Sequence, residues 1–389
     1  MSTESITPEA SKLNSRELIA IAQQFAQGKE VDAITPLGNG NINSTYLVTT
    51  QLDASPLRFV LQRVNAQVFP KPELVIQNMA ALCEHLRKSP QTLPRRWETP
   101  QIMPTQQGAH FWRDESGEYW RAISFIEGSH VRETVEDADH AKEVGYGLAM
   151  FHRLISTLSA DKLADTLPGF HITPSYLSNY EQVIAAADSA QALIDSANRS
   201  GDKEQIEQAQ FCLSFVEKRK DWAHVLEKAK EDGHLRLRPI HGDPKVNNIL
   251  LSDRGEALSL IDLDTIKPGL VHYDIGDCLR SGCNRLGEET NDWQQVTFDT
   301  ELAKAMLQGY LSLASDFLTE QDYDYLYDAI RLIAFELGLR FFTDYLAGNV
   351  YFKVNHPTHN LTRALVQFKL TESIEQQAET LKAIIQELR

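Results

Sequence analysis

The sequence predicts an α+β protein with a small antiparallel β lobe followed by a larger, mainly helical lobe, and three observations lead there. At 389 residues the chain exceeds the size at which one hydrophobic core stops growing, which favours two lobes. Its first third is rich in short β-branched and aromatic segments with partial alternation. From about residue 137 the apolar spacing becomes that of helices. The expected division is 1–124 and 125–389.

In chain order, residues 16–27 (RELIAIAQQFAQ) carry apolar residues at helical spacing, with Ser15 as N-cap and Gly28 just past the end. Strand character follows in AITPL, INSTYLVTT, LRFVLQRV, AHFW and EYWRAISFI. A helix, KPELVIQNMAALCEHLRK, interrupts this set, opening at Pro72 with Leu74, Val75, Met79, Leu82 and Leu86 on one side. The second lobe reads as helices over 137–155, 175–196 and 203–230, the last two forming a hairpin broken at NRSGD (198–202). Two short strands, NNILL and LSLIDL, flank a DRGEA turn, and three further helical stretches complete the chain.

Composition mainly excludes. A formal net charge of −16 without a basic run argues against nucleic-acid binding, which rests on Lys and Arg neutralising phosphates. Four scattered cysteines, Cys83, Cys212, Cys278 and Cys283, form neither a disulfide framework nor a zinc pattern, and read as reduced thiols. The leader MSTESITPEASKLNS lacks a targeting pattern, and no run of about 18 apolar residues occurs, so the expectation is a cytoplasmic protein with no membrane partner.

The chemistry sits in Ile240 to Asp264, IHGDPKVNNILLSDRGEALSLIDLD. It holds His-Gly-Asp, Asn five residues after the Asp, and a second Asp fourteen beyond that Asn at the end of an apolar strand, the layout of a protein-kinase catalytic loop. A hydroxyl nucleophile needs an oriented proton acceptor, which assigns Asp243 as base. Magnesium prefers hard oxygen ligands, which assigns Asn248 and Asp262 to the metal, with Asp264 behind them. The expected cofactors are ATP and Mg²⁺. His241 reads as a structural imidazole that fixes the turn.

In the first lobe, expected to bind nucleotide, LGNGNINSTYLV offers Gly38, Gly40 and Asn43 where backbone amides can approach phosphates. FVLQRV offers Arg63 near the position of a strand cation, with Glu84 preferred to Glu73 as its acidic partner. The connector WRAISFIEGSH, with Glu127, would present backbone groups to adenine.

HGDPKVNNIL and LIDLD resemble the aminoglycoside phosphotransferase and choline kinase superfamily, whose members have a protein-kinase-like bilobal fold. The resemblance covers nearly the whole chain. NINSTYLV, FVLQRVN followed by Phe69 and Pro70, IDLDTIKPGLVHYDIGD, LGLRFFTDYLAGNVYF and HNLTRALVQFKL look like the N-acetylhexosamine 1-kinase branch. That branch phosphorylates the anomeric hydroxyl of N-acetylated amino sugars. The resemblance implies a small-molecule acceptor, a sugar, with Arg340 and Asp344 near it; the competing reading of those two is an i, i+4 ion pair. One departure stands at the loop: the branch carries His-Asn-Asp-Thr-Lys, whereas this chain has His241, Gly242, Asp243, Pro244 and Lys245, the form of the wider superfamily. Competing readings of function are a kinase for another small alcohol, such as an aminoglycoside or choline, and a catalytically silent nucleotide-binding module.

Overall fold

A computed structural model describes residues 15–38, 42–51, 56–88, 93–186 and 203–389. The chain divides into two compact units, Met1–Ile76 with Pro100–Ile126, and Gln77–Thr99 with Glu127–Arg389.

The first unit is an antiparallel sheet backed by a helix. Helix α1 (Ser15–Gln23) precedes β1 (Val31–Pro36), β2 (Ser44–Thr50) and β3 (Arg58–Val64). Helix α2 (Pro72–Lys88) crosses the boundary between the units before β4 (Ile102–Met103), β5 (Trp112–Arg113) and β6 (Tyr119–Ser124) return to the sheet. The strand order is β1-β2-β3-β6-β4, with β5 also on β6. Ile21, Ala22, Phe25 and Ala26 from the α1 segment bury against Val48, Phe59, Leu61, Met103, Trp120 and Ala122. Each large side chain so buried contributes roughly 1.5–3 kcal/mol, and Trp120 keeps its indole N–H satisfied on Asp114 Oδ2 at 2.8 Å.

The second unit opens with β7 (Ser129–His130) and α3 (Ala138–Ile155), capped by the Asp137 carboxylate on the His140 N–H. Helices α4 (Thr173–Ala185), α5 (Lys203–Glu217) and α6 (Val225–Glu231) follow. The NRSGD break lies outside the described residues. The helix predicted over 203–230 is interrupted because its middle is used for tertiary anchors: Arg219 binds Glu375 at 2.6 Å and Trp222 packs on Phe335. Strands β8 (Arg238–Ile240) and β11 (Lys267–Gly269) pair with each other, and β9 (Ile249–Ser252) joins β10 (Ala257–Leu260) and β7 in a second small sheet.

Six helices then follow among the described residues, where three stretches were predicted: α7 (Val271–Gly282), α8 (Thr300–Ala314), α9 (Glu320–Asp324), α10 (Leu326–Leu346), α11 (His359–Gln376) and α12 (Ala378–Leu388). Their breaks are set by side-chain caps, Asp299 on the Glu301 and Leu302 amides and the Thr319–Asp322 capping box, which an apolar-period reading passes over. No described helix is long and apolar enough to cross a membrane.

Helices α3 and α8 touch backbone to backbone. A Cβ at Gly145 would lie 1.9 Å from the Met306 carbonyl oxygen, and one at Gly309 would lie 1.9 Å from that of Lys142. Gly309→Ala should therefore destabilise the protein by about 3 kcal/mol, the upper end of overpacking costs, measured by urea unfolding. Adding Gly145→Ala should cost less than the sum of the two single changes, because both force apart the same contact.

Candidate active site

In the second unit the chain leaves β8 at Ile240 and turns sharply. The His241 and Gly242 amides both donate to one carboxylate, Asp274 of α7, at 2.7 and 2.8 Å. Asp274 is 0 % exposed, and its Oδ2 also meets His152 Nε2 of α3 at 2.8 Å. Burial alone would raise this carboxyl; the His152 ring, with His241 and its N–H donor behind it, holds it below the usual range instead.

Gly242 has a φ of +90°, and a Cβ there would lie 2.7 Å from the Thr265 carbonyl oxygen and 2.9 Å from Thr265 Cβ. Thr265 in turn donates its hydroxyl to the His241 carbonyl at 2.7 Å. Glycine at this place is thus required twice, by backbone sign and by a filled neighbouring volume. This gives a physical reason for the glycine in His-Gly-Asp.

The turn fixes the predicted residues in sequence. Asp243 donates its amide to His241 Nδ1 at 3.2 Å, and His241 Nε2 donates to the Ile261 carbonyl at 2.9 Å. With one ring nitrogen accepting and the other donating, His241 is a neutral imidazole, and burial lowers its pKa further. The structural reading of His241 agrees with this geometry. Asn248 donates Nδ2 to the Asp243 carbonyl at 2.7 Å, so its Oδ1 is the end presented as acceptor. Its own carbonyl receives the Ile261 N–H at 2.8 Å.

Residue 261 is therefore pinned at both polar backbone atoms, by Asn248 and by His241, and the next residue is Asp262. Asp262 is exposed with φ +64° and ψ 58°, a left-handed conformation that a non-glycine residue adopts at a cost, here where a metal ligand is expected. Lys245 Nζ lies 3.0 Å from Asp243 Oδ2; Asp243 chiefly, and Asp262 further off, raise its pKa. Asn78 of α2, absent from the sequence-based list, ties this region down: its amide donates to the Ala164 and Ile266 carbonyls and its Oδ1 accepts the Ala164 N–H, each at 2.8 Å.

Arg340 and Asp344 do not pair. The Arg340 guanidinium lies over three rings, Tyr176 at 5.0 Å, Phe170 at 5.2 Å and Phe352 at 5.4 Å. Burial alone would lower its pKa, but Tyr176, Glu336, Tyr351 and Asp243 raise it, so the cation stands within electrostatic reach of Asp243. The Asp344 carboxylate is used by the protein itself. It accepts the amides of Val350 and Tyr351 on Oδ1, and those of Phe352 and the Asn360 side chain on Oδ2, all at 2.8–2.9 Å. With these four donors bound, Asp344 shapes the 350–352 loop, which sets Phe352 on Arg340. Sequence reading gave no signal for Tyr176 or Phe170, which come from a distant segment.

In the first unit, Gly38 is exposed with φ +72°, and Gly40 lies outside the described residues. Asn43 Oδ1 accepts the Asn65 amide at 3.0 Å, joining the start of β2 to the end of β3 at the open end of that strand pair. Arg63 donates to Ser44 Oγ at 3.2 Å. By strand alternation it shares the face of Phe59, Leu61 and Trp120, the face covered by α1. The opposite face carries Gln62, whose Oε1 receives Nε and Nη2 of buried Arg121 at 3.0 and 2.7 Å. Glu84, which belongs to the second unit, pairs with Lys88 one turn on. The Glu127 carbonyl, in the second unit, receives Arg96 Nη2 at 2.7 Å.

Comparison with known proteins follows the same line. The sequence pattern of the phosphotransferase enzyme family matches residues 33–325. Among solved structures, the chain is similar to a microcompartment-associated aminopropanol kinase, with 16% identity, 94% of this chain and 98% of that one covered, and a TM-score of 0.59. A choline kinase from Cryptosporidium parvum Iowa II gives 16%, 96%, 98% and 0.57 in the same order. An aminoglycoside phosphotransferase from Alicyclobacillus acidocaldarius gives 17%, 100%, 97% and 0.52. At these identities the likeness establishes the fold, an α+β fold of the protein-kinase-like type.

Gly242→Ala should lower kcat by about tenfold or more, as expected when a reacting group is displaced by part of an ångström, and should lower the melting temperature. Thermal unfolding together with phosphoryl-transfer rates would check both.

Proposed function

The chain belongs to the phosphotransferase enzyme family and is a small-molecule kinase with a hydroxyl group as acceptor, and we propose that it transfers the γ-phosphoryl group of ATP to the anomeric hydroxyl of an N-acetylhexosamine or a related sugar. The observation that carries the chemistry is the knot at residue 261, which brings Asp243, Asn248 and Asp262 into one neighbourhood through hydrogen bonds of 2.7–2.9 Å.

The donor set suits magnesium: an amide Oδ1 and a carboxylate are hard oxygen ligands. Among the described residues there is no cluster of three or more His, Cys, Asp or Glu that could hold a metal by itself, which fits a cation shared with phosphate oxygens and water. Magnesium bound with ATP would offset the charge of the phosphate oxygens. Asp243 takes the proton of the acceptor hydroxyl, the acceptor oxygen forms its bond to the γ-phosphorus, and the bond from that phosphorus to the ADP oxygen breaks. Lys245 holds the Asp243 carboxylate, and Asn248 and Asp262 would hold the metal.

Arg340 bears on the acceptor. A guanidinium among three rings, within electrostatic reach of the base, repels a cationic acceptor and donates to a carbonyl or hydroxyl oxygen. That favours an acetamido sugar over the amine-bearing alcohols in the names of the structural relatives. The nucleotide phosphates need a cation from the first unit; Arg121, on the face away from α1, suits this role better than Arg63.

Two experiments test these assignments. ADP release with Mg²⁺ and ATP, measured over N-acetylhexosamines, other sugars, aminoglycosides and choline, should favour the acetamido sugars, and Asp243→Asn should reduce kcat at least 10²-fold, the usual scale of a lost general base. Turnover on choline or an aminoglycoside alone would sink the sugar assignment and keep the kinase. Separately, Arg121→Lys should raise KM for ATP by about tenfold, the loss of one charge-assisted contact, while Arg63→Ala leaves it within about threefold. The reverse order would return the phosphate role to Arg63.

A further inference from the structure

A buried histidine that touches the catalytic loop stands outside the mechanism. His171 lies just before α4 with a φ of +63°, a conformation costly for a non-glycine residue, and is 3 % exposed. The segment leading to it is held by Lys267 of β11, whose Nζ pairs with Asp165 and reaches the Leu167 and Phe170 carbonyls. The ring stacks on Tyr273 at 5.5 Å. Nδ1 lies 2.9 Å from Glu336 Oε1, and Nε2 lies 2.8 Å from the Gly242 carbonyl oxygen. Glu336 is 1 % exposed, and its other oxygen accepts the Thr173 hydroxyl at 2.6 Å.

Each ring nitrogen thus faces a group that accepts. A carbonyl can only accept, so Nε2 carries a proton; a carboxylate on Nδ1 asks for the second. We propose that His171, kept as an imidazolium by Glu336, is a positioning residue for the catalytic base: it clamps the carbonyl of the Gly242–Asp243 peptide while Asp274 holds the Gly242 amide. The peptide unit that carries Asp243 is thereby fixed through its oxygen by a buried cation, and the preceding one through its nitrogen by a buried anion. Glu336 also stands one helical turn before Arg340 on α10, so the clamp and the acceptor-side cation share one rigid element. The inference rests on the reading of Asp243 as base.

The sign of the pH effect follows. The titratable and charged groups around His171 are Glu336 and Arg340 on α10, Asp277 and Tyr273 on α7, Tyr176 on α4 and Lys267 on β11. Burial alone would lower its pKa, but Glu336 on Nδ1, with Asp277 nearby, holds it above the ordinary value. A raised folded-state pKa means the clamp is complete below the unfolded value of about 6.5 and is lost as pH rises through the folded one.

The test uses the full chain, uniformly labelled with ¹⁵N-histidine, as wild type, Glu336→Gln and His171→Gln. At about pH 8, where an ordinary histidine is neutral, the wild type should show one imidazole protonated at both nitrogens, and it should disappear in both variants. The alkaline limb of the kcat profile should move to lower pH in Glu336→Gln, by about one unit or more, with KM for ATP unchanged. In His171→Gln, whose amide still donates to the Gly242 carbonyl, that limb should vanish while kcat is largely kept; His171→Ala should lose kcat. Amide exchange in the 241–248 segment, compared at equal pH, should quicken in Glu336→Gln, and this reports the clamp without turnover. A neutral His171 at pH 8, unchanged exchange, or an unmoved limb in an active Glu336→Gln enzyme overturns the proposal. Absence of turnover on every acceptor fails the sugar-kinase reading instead, and the imidazole spectrum and amide exchange then decide the clamp.

Discussion

A single buried carboxylate sets the geometry on which the candidate site depends. Asp274 is 0 % exposed and accepts two consecutive backbone amides, from His241 and Gly242, where the chain leaves β8. An ion in a low-dielectric interior is expensive, and it persists only when its lone pairs are used. Here they are used by two N–H donors and His152, so the cost of burial becomes a preference for one backbone path. From that path follow the orientation of Asp243, the carbonyl that turns the Asn248 amide, and the anchoring of residue 261. Removing the charge would leave two buried amides without acceptors, which is why the loop cannot simply relax into another shape.

The glycine at 242 belongs to the same constraint. A left-handed turn lets successive amides converge on one acceptor, and the space a side chain would need is taken by Thr265, itself bound to the His241 carbonyl. Gly242 and Thr265 therefore act as a pair. A side chain at 242 would need a different packing at 265.

Much of this was legible in the sequence where the signal is local. The spacing of Asp243, Asn248 and Asp262 marks a loop, a short hairpin and a return, and the hairpin β9–β10 brings the last two together. The sheet of the first unit was legible from alternation. What was not legible depends on partners far along the chain. Asp274 sits in HYDIGD as one acidic residue among several, and nothing nearby reveals that its partners lie 32 and 33 residues away. Arg340 and Asp344 have the spacing of an ion pair, but rings from residues 170, 176 and 352 and amides from 350–352 compete for them and win. On β3, polarity alone could not tell Arg63 from Gln62; only the register with β6, which sets Gln62 against Arg121, separates the two faces. The helix predicted over 203–230 failed for a similar reason, since Arg219 and Trp222 gain more from distant partners than from local propensity.

Buried carboxylates, each with a nitrogen partner, recur around the loop: Asp274 with His152, Glu336 with His171, and Asp277 with Arg280. Apolar side chains of equal volume would often be as stable or more so, which makes net stability a poor account of the arrangement. A directional account does better, because hydrogen-bonded ions fix angles that apolar packing leaves loose. A base that must meet one hydroxyl hydrogen, the role proposed for Asp243, tolerates little error in position, and the groups around its loop come from α3, α7, α10 and the loop before α4. Rotation of α10 would move Glu336 and Arg340 together, so the Arg340 guanidinium and the peptide that carries Asp243 respond to one displacement. The precision of the site is in this sense a property of helix packing, transmitted to Asp243 through two peptide groups.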